Sequence, residues 1–145
     1  MDTTSPKIND KQDENYPKAG IATDCAHSAK LGLIRFRGID LKTGEQIFLE
    51  EIGNCTVNIG EFLGVVAAVK YIMENNYLPG IIYTDSITAI TWFEDKKTAS
   101  KKKYPALKKA EIFLKAMSEE VDKIKIRHWD NARLGEIPAD FGVRL

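Results

Sequence analysis

Residues 81–86 read Ile-Ile-Tyr-Thr-Asp-Ser, a short apolar run that is followed directly by the acid Asp85. The run follows the helix-breaking segment at residues 75–80 (Asn-Asn-Tyr-Leu-Pro-Gly) and predicts a buried β-strand. The same order recurs at residues 19–24, which read Ala-Gly-Ile-Ala-Thr-Asp. Open α/β sheets bind ligands at the carboxyl ends of their strands. We therefore expect Asp24 and Asp85 to lie at strand ends on one edge of a sheet.

Two further strands and a long helix are predicted between these two runs. Residues 31–37 and 46–52 flank a polar turn and extend the first run into an antiparallel meander. Residues 58–74 instead carry apolar side chains at helical spacing, namely Phe62, Val65, Val66, Val69, Ile72 and Met73. Asn58 is the candidate N-cap, which places Glu61 in the first turn with loose capping-box spacing.

The rest of the chain predicts helices on either side of a last strand. Ser86 can cap a short helix that ends near Phe93, and residues 104–120 form one longer amphipathic helix. Residues 123–129 alternate as a strand, and Pro138 favours the first turn of a small terminal helix. This order predicts an α/β fold with a five-stranded mixed sheet flanked by helices. In it the first three strands are antiparallel, and the last two run parallel to the first.

Composition indicates one domain behind a polar leader. Residues 1–17 are acidic and lack apolar periodicity, so we expect a disordered leader before a single domain at 18–145. No apolar run approaches membrane-spanning length and no signal pattern is present, which favours the cytoplasm and no membrane partner. Cys25 and Cys55 are too few for a disulfide framework or a structural zinc site and are expected to be free thiols.

The charge distribution is uneven although the net charge is zero. Seven lysines lie between Lys96 and Lys109 with no acid among them. They form either a solvated helix and loop face or a patch that contacts phosphates. Charge alone does not distinguish these two interpretations.

Four acids stand out because of their positions in the predicted elements: Asp24, Glu61, Asp85 and Asp140. Glu61 lies beside the apolar stripe of its helix, where an unpaired carboxylate is costly, although the helix dipole alone could stabilise it. Asp140 lies between apolar neighbours and is otherwise explained as a helix-start acid. Four such carboxylates would repel one another unless cations neutralised them. An all-oxygen set without a local His or Cys group favours magnesium.

These motifs resemble, in their order, those of the ribonuclease HI family of the ribonuclease H-like superfamily, in its short bacterial type. They are Thr23-Asp24, Asn58-Ile59-Gly60-Glu61, Thr84-Asp85-Ser86 and the segment Gly135-Glu136-Ile137-Pro138-Ala139-Asp140-Phe141-Gly142. The resemblance covers nearly all of residues 19–143. It implies the ribonuclease H-like fold and an endonuclease that hydrolyses the RNA strand of RNA–DNA hybrids, leaving 5′-phosphate and 3′-hydroxyl ends.

The resemblance also implies roles for individual residues. Two magnesium ions, replaceable by manganese, would be held with Asp24 between them. Glu61 and Asp85 would bind the ion near the leaving group, and Asp140 the ion on the nucleophile side. The substrate-binding positions implied for the hybrid are Cys25, Thr56, Asn58 and Ser86, with Asn58 at RNA 2′-hydroxyls and Thr56 at a DNA phosphate.

The chain departs from the family pattern at two places. The mobile loop before the final Asp carries a His in many relatives, but residues 130–135 contain none. His128 is the remaining candidate, although the alternating pattern places it in a strand. The basic handle of longer relatives is shortened, and Trp92 with Lys101, Lys102 and Lys103 would partly replace it, unless Trp92 belongs to the core.

Two other functions remain compatible with the sequence. One is another nuclease of the same superfamily, which hybrid preference over duplex DNA would distinguish. The other is a hybrid-binding module that is catalytically weak or inactive, although a pure binder gains nothing from a negative cluster facing phosphates. The sequence gives no sign of an obligate protein partner.

Overall fold

Five strands form one mixed sheet in the computed structural model, which describes residues 15–142. The strands are β1 (Ile21–Ser28), β2 (Leu33–Asp40), β3 (Gln46–Gly53), β4 (Ile81–Thr84) and β5 (Lys125–His128). Their spatial order is β3-β2-β1-β4-β5. The β1–β2 and β2–β3 pairs are antiparallel, and the β1–β4 and β4–β5 pairs are parallel. The predicted five-stranded mixed sheet and the directions of its strands are confirmed.

The first strand is longer than the sequence pattern indicates. The residues after Asp24 continue to pair with β2 as far as Ser28, whereas β4 accompanies β1 only at Ile21 and Ala22. The prediction that Asp24 ends its strand is therefore wrong. Asp24 lies within β1, just past the point where β4 stops pairing with it, so its side chain is close to the residues that follow β4.

Helices cover one face of this sheet and occupy part of the C-terminal region. They are α1 (Val57–Asn75), α2 (Ile87–Asp95), α3 (Pro105–Ala116), α4 (Ser118–Val121) and α5 (Asn131–Leu134). The N-cap of α1 is Thr56 rather than Asn58, because the Thr56 hydroxyl accepts the Ile59 N–H at 3.2 Å. Glu61 thus lies beyond the first turn, and the expected capping-box spacing is absent.

The larger core lies between the sheet and the first three helices. The apolar residues predicted for α1 are buried except for the half-buried Met73. Trp92 of α2 packs edge-on against Phe62, with ring centroids 5.7 Å apart. Helix α1 approaches the sheet closely at Gly60, where an added Cβ would lie 2.6 Å from Ile34 Cγ2. The absence of a side chain at this position lets the helix start rest on the strands.

A second, smaller core forms on the opposite face of the sheet. Successive strand residues point to opposite faces, so Ile21 joins the larger core and Ala22 the smaller one. Its buried members are Ala22, Ile39, Trp129, Leu134, Ile137 and Ala139. Because its last three members come from residues 134–139, this core anchors the C-terminal segment that carries Asp140.

Three local expectations are wrong. The helix predicted at residues 104–120 breaks at Met117, which departs from helical torsion angles (φ −103°, ψ 24°). The segment 130–135, expected as a loop, contains α5, which Asp130 caps by accepting the Ala132 and Arg133 N–H groups. After Pro138, the described residues form a turn closed by the Asp140 N–H on the Ile137 carbonyl at 2.8 Å, and no helix follows up to residue 142.

The remaining sequence-based expectations concern the leader, the thiols and the membrane. Residues 1–14 of the expected leader lie outside the described residues; of its last three, Tyr16 packs edge-on against Trp129, with ring centroids 5.2 Å apart. Cys25 and Cys55 are free, as predicted. Within residues 15–142, no helix has the length and apolar character needed to cross a membrane.

Candidate active site

Three carboxylates meet where β1, α1 and β4 come together. They belong to Asp24 in β1, Glu61 in α1 and Asp85 directly after β4, and one ligand oxygen of each lies within 4.8 Å of the others. Asp24 and Glu61 are each only 8% exposed, and Asp85 is half-buried. Three of the four acids singled out in the sequence thus converge, although they are far apart along the chain.

The surroundings of this cluster favour the protonated forms of its two buried acids. Burial raises the pKa of Asp24, and the negative charges of Asp85 and Asp140 raise it further. Burial also raises the pKa of Glu61, with further increases from Asp24 and Asp85. The closeness of the two carboxyl groups also raises the pKa of Glu61 while it lowers that of Asp24, so the pair can share a proton that Glu61 holds more tightly.

One atom of the cluster lacks a hydrogen-bond partner. The Oε1 atom of Glu61 is buried and accepts no hydrogen bond within the described structure. A buried acceptor without a partner costs about 1–3 kcal/mol, more when it is charged. A hard divalent cation bound by Asp24, Glu61 and Asp85 would satisfy this oxygen and neutralise the repulsion. The donor set, all carboxylate oxygen, suits magnesium or manganese.

The fourth predicted acid, Asp140, lies outside the group of three. Its negative charge nevertheless contributes to the raised pKa of Asp24. Arg37 of β2 holds its backbone, because the guanidinium donates from Nε to the Ala139 carbonyl at 2.9 Å and from Nη2 to the Asp140 carbonyl at 2.6 Å. In the described residues this segment forms a turn rather than the predicted terminal helix, and the Arg37 guanidinium bonds two carbonyls of that turn and its end.

A residue that the sequence pattern did not single out contacts the cluster directly. The side-chain amide of Asn131, the first residue of α5, donates to Asp85 Oδ2 at 2.9 Å. Its oxygen accepts the Ile137 N–H at 3.1 Å. The sequence pattern also did not single out Arg37, which binds the backbone of Asp140. Neither residue belongs to a recognisable motif, since their partners are set by the packing of the C-terminal segment.

The four substrate-binding positions implied by the resemblance lie on elements adjoining the acids. Asn58 is exposed at the start of α1 next to its cap Thr56, and the Ser86 hydroxyl caps α2 by accepting the Ala89 N–H at 3.0 Å. The Cys25 thiol donates to the Val57 carbonyl at 3.5 Å, and burial raises its pKa. Thr56 and Ser86 thus have structural roles as helix caps, whether or not they also bind substrate.

The remaining candidates lie outside the carboxylate cluster. His128 is exposed at the end of β5, as the alternation predicted. Trp92 is 7% exposed and belongs to the core, which is the alternative that the sequence left open, so it is not part of an exposed basic handle. Lys101, Lys102 and Lys103 are exposed in the loop between α2 and α3.

Known structures share this architecture. A ribonuclease H1 isolated from compost superposes with a TM-score of 0.53 at 19% identity, covering 81% of this chain and 89% of that one. The same enzyme, solved in complex with an RNA/DNA hybrid, gives a TM-score of 0.50 at 18% identity over 79% of this chain and 86% of that one. The chain has the ribonuclease H fold.

A second protein supports this assignment. The N-terminal ribonuclease H domain of a Mycobacterium tuberculosis protein has a TM-score of 0.51 at 16% identity, covering 79% of this chain and 85% of that one. No protein-family model matches the sequence. At these identities the likeness establishes the ribonuclease H fold, and the chemistry must be argued from the site residues.

Proposed function

We propose that this protein is a metal-dependent endoribonuclease that hydrolyses the RNA strand of RNA–DNA hybrids. The single observation that carries the proposal is the convergence of Asp24, Glu61 and Asp85 within 4.8 Å in a ribonuclease H fold. A cluster of buried acids with raised pKa values opposes folding and is typical of functional sites.

The expected cofactor is magnesium, as two ions, with manganese as a substitute. When bound, the ions would act as Lewis acids that generate a nucleophile from water at neutral pH and stabilise the leaving oxygen. Asp24, Glu61 and Asp85 would hold one ion, and Asp24 with Asp140 would hold the other. The unpartnered Glu61 Oε1 supports this assignment, since it offers a ligand atom that no group among residues 15–142 uses.

The acids of the site provide negative charge for a cation, and two of them can bind and release a proton. Without a cation, the raised pKa values favour a proton held between Asp24 and Glu61. Cation binding would release that proton, because carboxylates bind metals in their ionised form. Hydrolysis then adds water across the bond between phosphorus and the 3′ oxygen. The products carry 5′-phosphate and 3′-hydroxyl ends.

The substrate would be recognised by its shape and its 2′-hydroxyl groups rather than by its bases. The exposed Asn58 amide, at the start of the helix that carries Glu61, offers both a donor and an acceptor to a 2′-hydroxyl. The neighbouring Thr56, Ser86 and the backbone at Cys25 would contact the hybrid backbone. The exposed lysines of the α2–α3 loop would contact phosphates further along the hybrid.

A panel of substrates tests this proposal. Equal amounts of RNA–DNA hybrid, duplex DNA and duplex RNA of one sequence are incubated with the protein and magnesium, and the ends of the products are identified. We expect cutting of the hybrid's RNA strand alone, with 5′-phosphate and 3′-hydroxyl ends. Cutting of duplex DNA would indicate another nuclease of this fold. Hybrid binding without cutting would indicate a binding module.

A matched pair of variants on one helix controls this assay. Glu61→Gln removes a proposed ligand, whereas Glu74→Gln neutralises an exposed acid near the other end of α1. Only Glu61→Gln should lose activity. Equal activities would place the catalytic site elsewhere.

A further inference from the structure

The contact between Asn131 and Asp85 joins the carboxylate cluster to the C-terminal segment. The amide orientation follows from the hydrogen-bond network: the Ile137 N–H can only donate, so the amide oxygen faces it at 3.1 Å. The amide nitrogen is therefore the atom that faces Asp85 Oδ2, at 2.9 Å.

The backbone that carries Asn131 is firmly held. Asp130 caps α5, and the Asn131 carbonyl accepts the Gly135 N–H at 2.9 Å. Trp129, which lies two positions before Asn131, is fully buried and donates from its indole to the Gly135 carbonyl at 2.9 Å. A side chain on such a rigid element can hold a partner in one orientation.

The same network reaches the segment that carries the fourth acid. Ile137, whose N–H binds Asn131, accepts the Asp140 N–H on its own carbonyl at 2.8 Å. Asp85 and Asp140 are thus linked through one amide side chain and one turn. The exposed Asn131 thereby contacts both the end of β4 and the segment that leads to Asp140.

We propose that Asn131 is a positioning residue that orients Asp85 toward Asp24 and Glu61 and couples it to the Asp140 turn for divalent-cation binding. This inference rests on the proposed metal-dependent function. An amide suits the task because it fixes one carboxylate oxygen without a positive charge that would compete with the cation. The carboxylate keeps its negative charge and its remaining lone pairs for a cation. Residues that orient metal ligands typically contribute 10–100-fold to metal affinity or activity.

The experiment is a calorimetric titration of manganese into the full-length protein, combined with thermal unfolding without metal and with kcat and KM on the hybrid. Asn131→Ala removes both hydrogen bonds. Asn131→Ser is a milder variant, because its hydroxyl is polar but reaches less far than the amide. Asp130→Ala is the matched control, because it removes the cap of the same helix but leaves the amide on Asp85. Asp24→Asn tests the proposed metal site itself.

We expect Asn131→Ala to weaken manganese binding about tenfold or more and to lower kcat with KM little changed, with Asn131→Ser in between. Asp130→Ala loosens the start of α5 but keeps the amide, so it should lower the unfolding temperature and weaken manganese binding clearly less than Asn131→Ala does. Equal losses of affinity in the Asn131 and Asp130 variants, or wild-type affinity in Asn131→Ala, would overturn the inference alone. No manganese binding by the wild type, or unchanged binding by Asp24→Asn, would overturn the proposed function and the inference with it.

Discussion

Arg37 lies directly opposite Asp24 in the sheet, and its side chain holds the backbone of Asp140. Its guanidinium donates to the Asp140 carbonyl at 2.6 Å, and Arg37 is the Cα partner of Asp24 in the β1–β2 register. It also donates to the Ala139 carbonyl at 2.9 Å and lies 4.8 Å from the centre of the Phe141 ring. One side chain of β2 thus holds the segment that carries Asp140, the last of the four acids, near Asp24, the first of them.

Replacing Arg37 should therefore affect stability and activity together. Arg37→Ala leaves two carbonyls without their charged donor, and we expect a loss of about 1–3 kcal/mol in the free energy of unfolding, measured in urea. The control is Arg35→Ala on the same strand, whose exposed ion pair with Glu51 is worth at most about 1 kcal/mol. Arg37→Lys should not restore activity, since an ammonium group lacks the planar fork. Full activity in Arg37→Ala would contradict the role assigned to Asp140.

The glycines of α1 give a test of how the helix start brings Glu61 to the sheet. Gly60→Ala would place a Cβ 2.6 Å from Ile34 Cγ2 and 3.1 Å from Cys25 Sγ, so we expect a loss of about 1–3 kcal/mol and weaker manganese binding. Gly64→Ala meets its nearest atom at 3.4 Å and should gain up to about 1 kcal/mol from helix propensity. Chemical denaturation measures both. A stabilised Gly60→Ala variant would show that the close approach is unimportant.

The stability of the metal-free protein should depend on pH with a definite sign. The pKa values of Asp24 and Glu61 are raised in the folded state by burial and by neighbouring negative charge, so the folded state holds protons that the unfolded state has released. Stability in chelator should therefore fall as the pH rises above the ordinary carboxyl range, about 4–5, until the folded groups ionise.

Thermal unfolding in chelator at pH 5.5 and pH 8 measures this effect. We expect Glu61→Gln to flatten the dependence, because one of the two titrating groups is removed. Added magnesium should raise the unfolding temperature more at the higher pH, where fewer protons compete with it. A wild-type protein that becomes more stable between these pH values in chelator would contradict the sign.

The exposed lysines of the α2–α3 loop, Lys101, Lys102 and Lys103, should account for part of the salt dependence of hybrid binding. Each phosphate that the protein no longer neutralises lowers the slope of log affinity against log salt by about 0.9 for a duplex. The double variant Lys102→Gln, Lys103→Gln should reduce that slope by between about 1 and 2. Binding is measured by fluorescence anisotropy, and every variant also carries Asp24→Asn so that the hybrid is not cut. The control pair Lys123→Gln and Lys125→Gln removes the same charge near and on β5. Equal slopes for the two pairs would show that the loop lysines are solvated and do not contact phosphates.

Discrimination between hybrid and duplex DNA should depend on Asn58. Asn58→Ala removes an exposed amide at the start of α1 but leaves the Thr56 cap, so stability should change by less than about 0.5 kcal/mol. We expect the ratio of hybrid to duplex-DNA affinity to fall several-fold. An unchanged ratio would remove Asn58 from substrate recognition.

The sequence predicted the sheet because its strands carry short-range patterns. The runs at Ile21 and Ile81, the alternation before His128 and the helical spacing after Asn58 each indicate one element. The order of those elements then restricts the topology to few solutions. Three of the four acids converge as expected, since each lies within or directly after an element that a local pattern reveals.

The remaining parts of the site depend on contacts between distant residues. Arg37 and Ala139 are 102 positions apart, and Asn131 and Asp85 are 46 apart, so no local pattern reveals either pair. The turn at Pro138 illustrates the same point. Proline and its neighbours are compatible with a helix start, but the structure has a turn there, and the Ala139 and Asp140 carbonyls accept hydrogen bonds from the distant Arg37.

The most direct measurement of the central claim is cleavage of an end-labelled RNA–DNA hybrid by the wild type and by Asp24→Asn, with magnesium or with chelator. The wild type should cut only the RNA strand and only with the metal. Asp24→Asn should be slower by more than about 100-fold, because removing a ligand should cost more than removing a residue that orients one. Cutting that persists in chelator, or equal cutting by Asp24→Asn, would contradict a metal site at Asp24, Glu61 and Asp85.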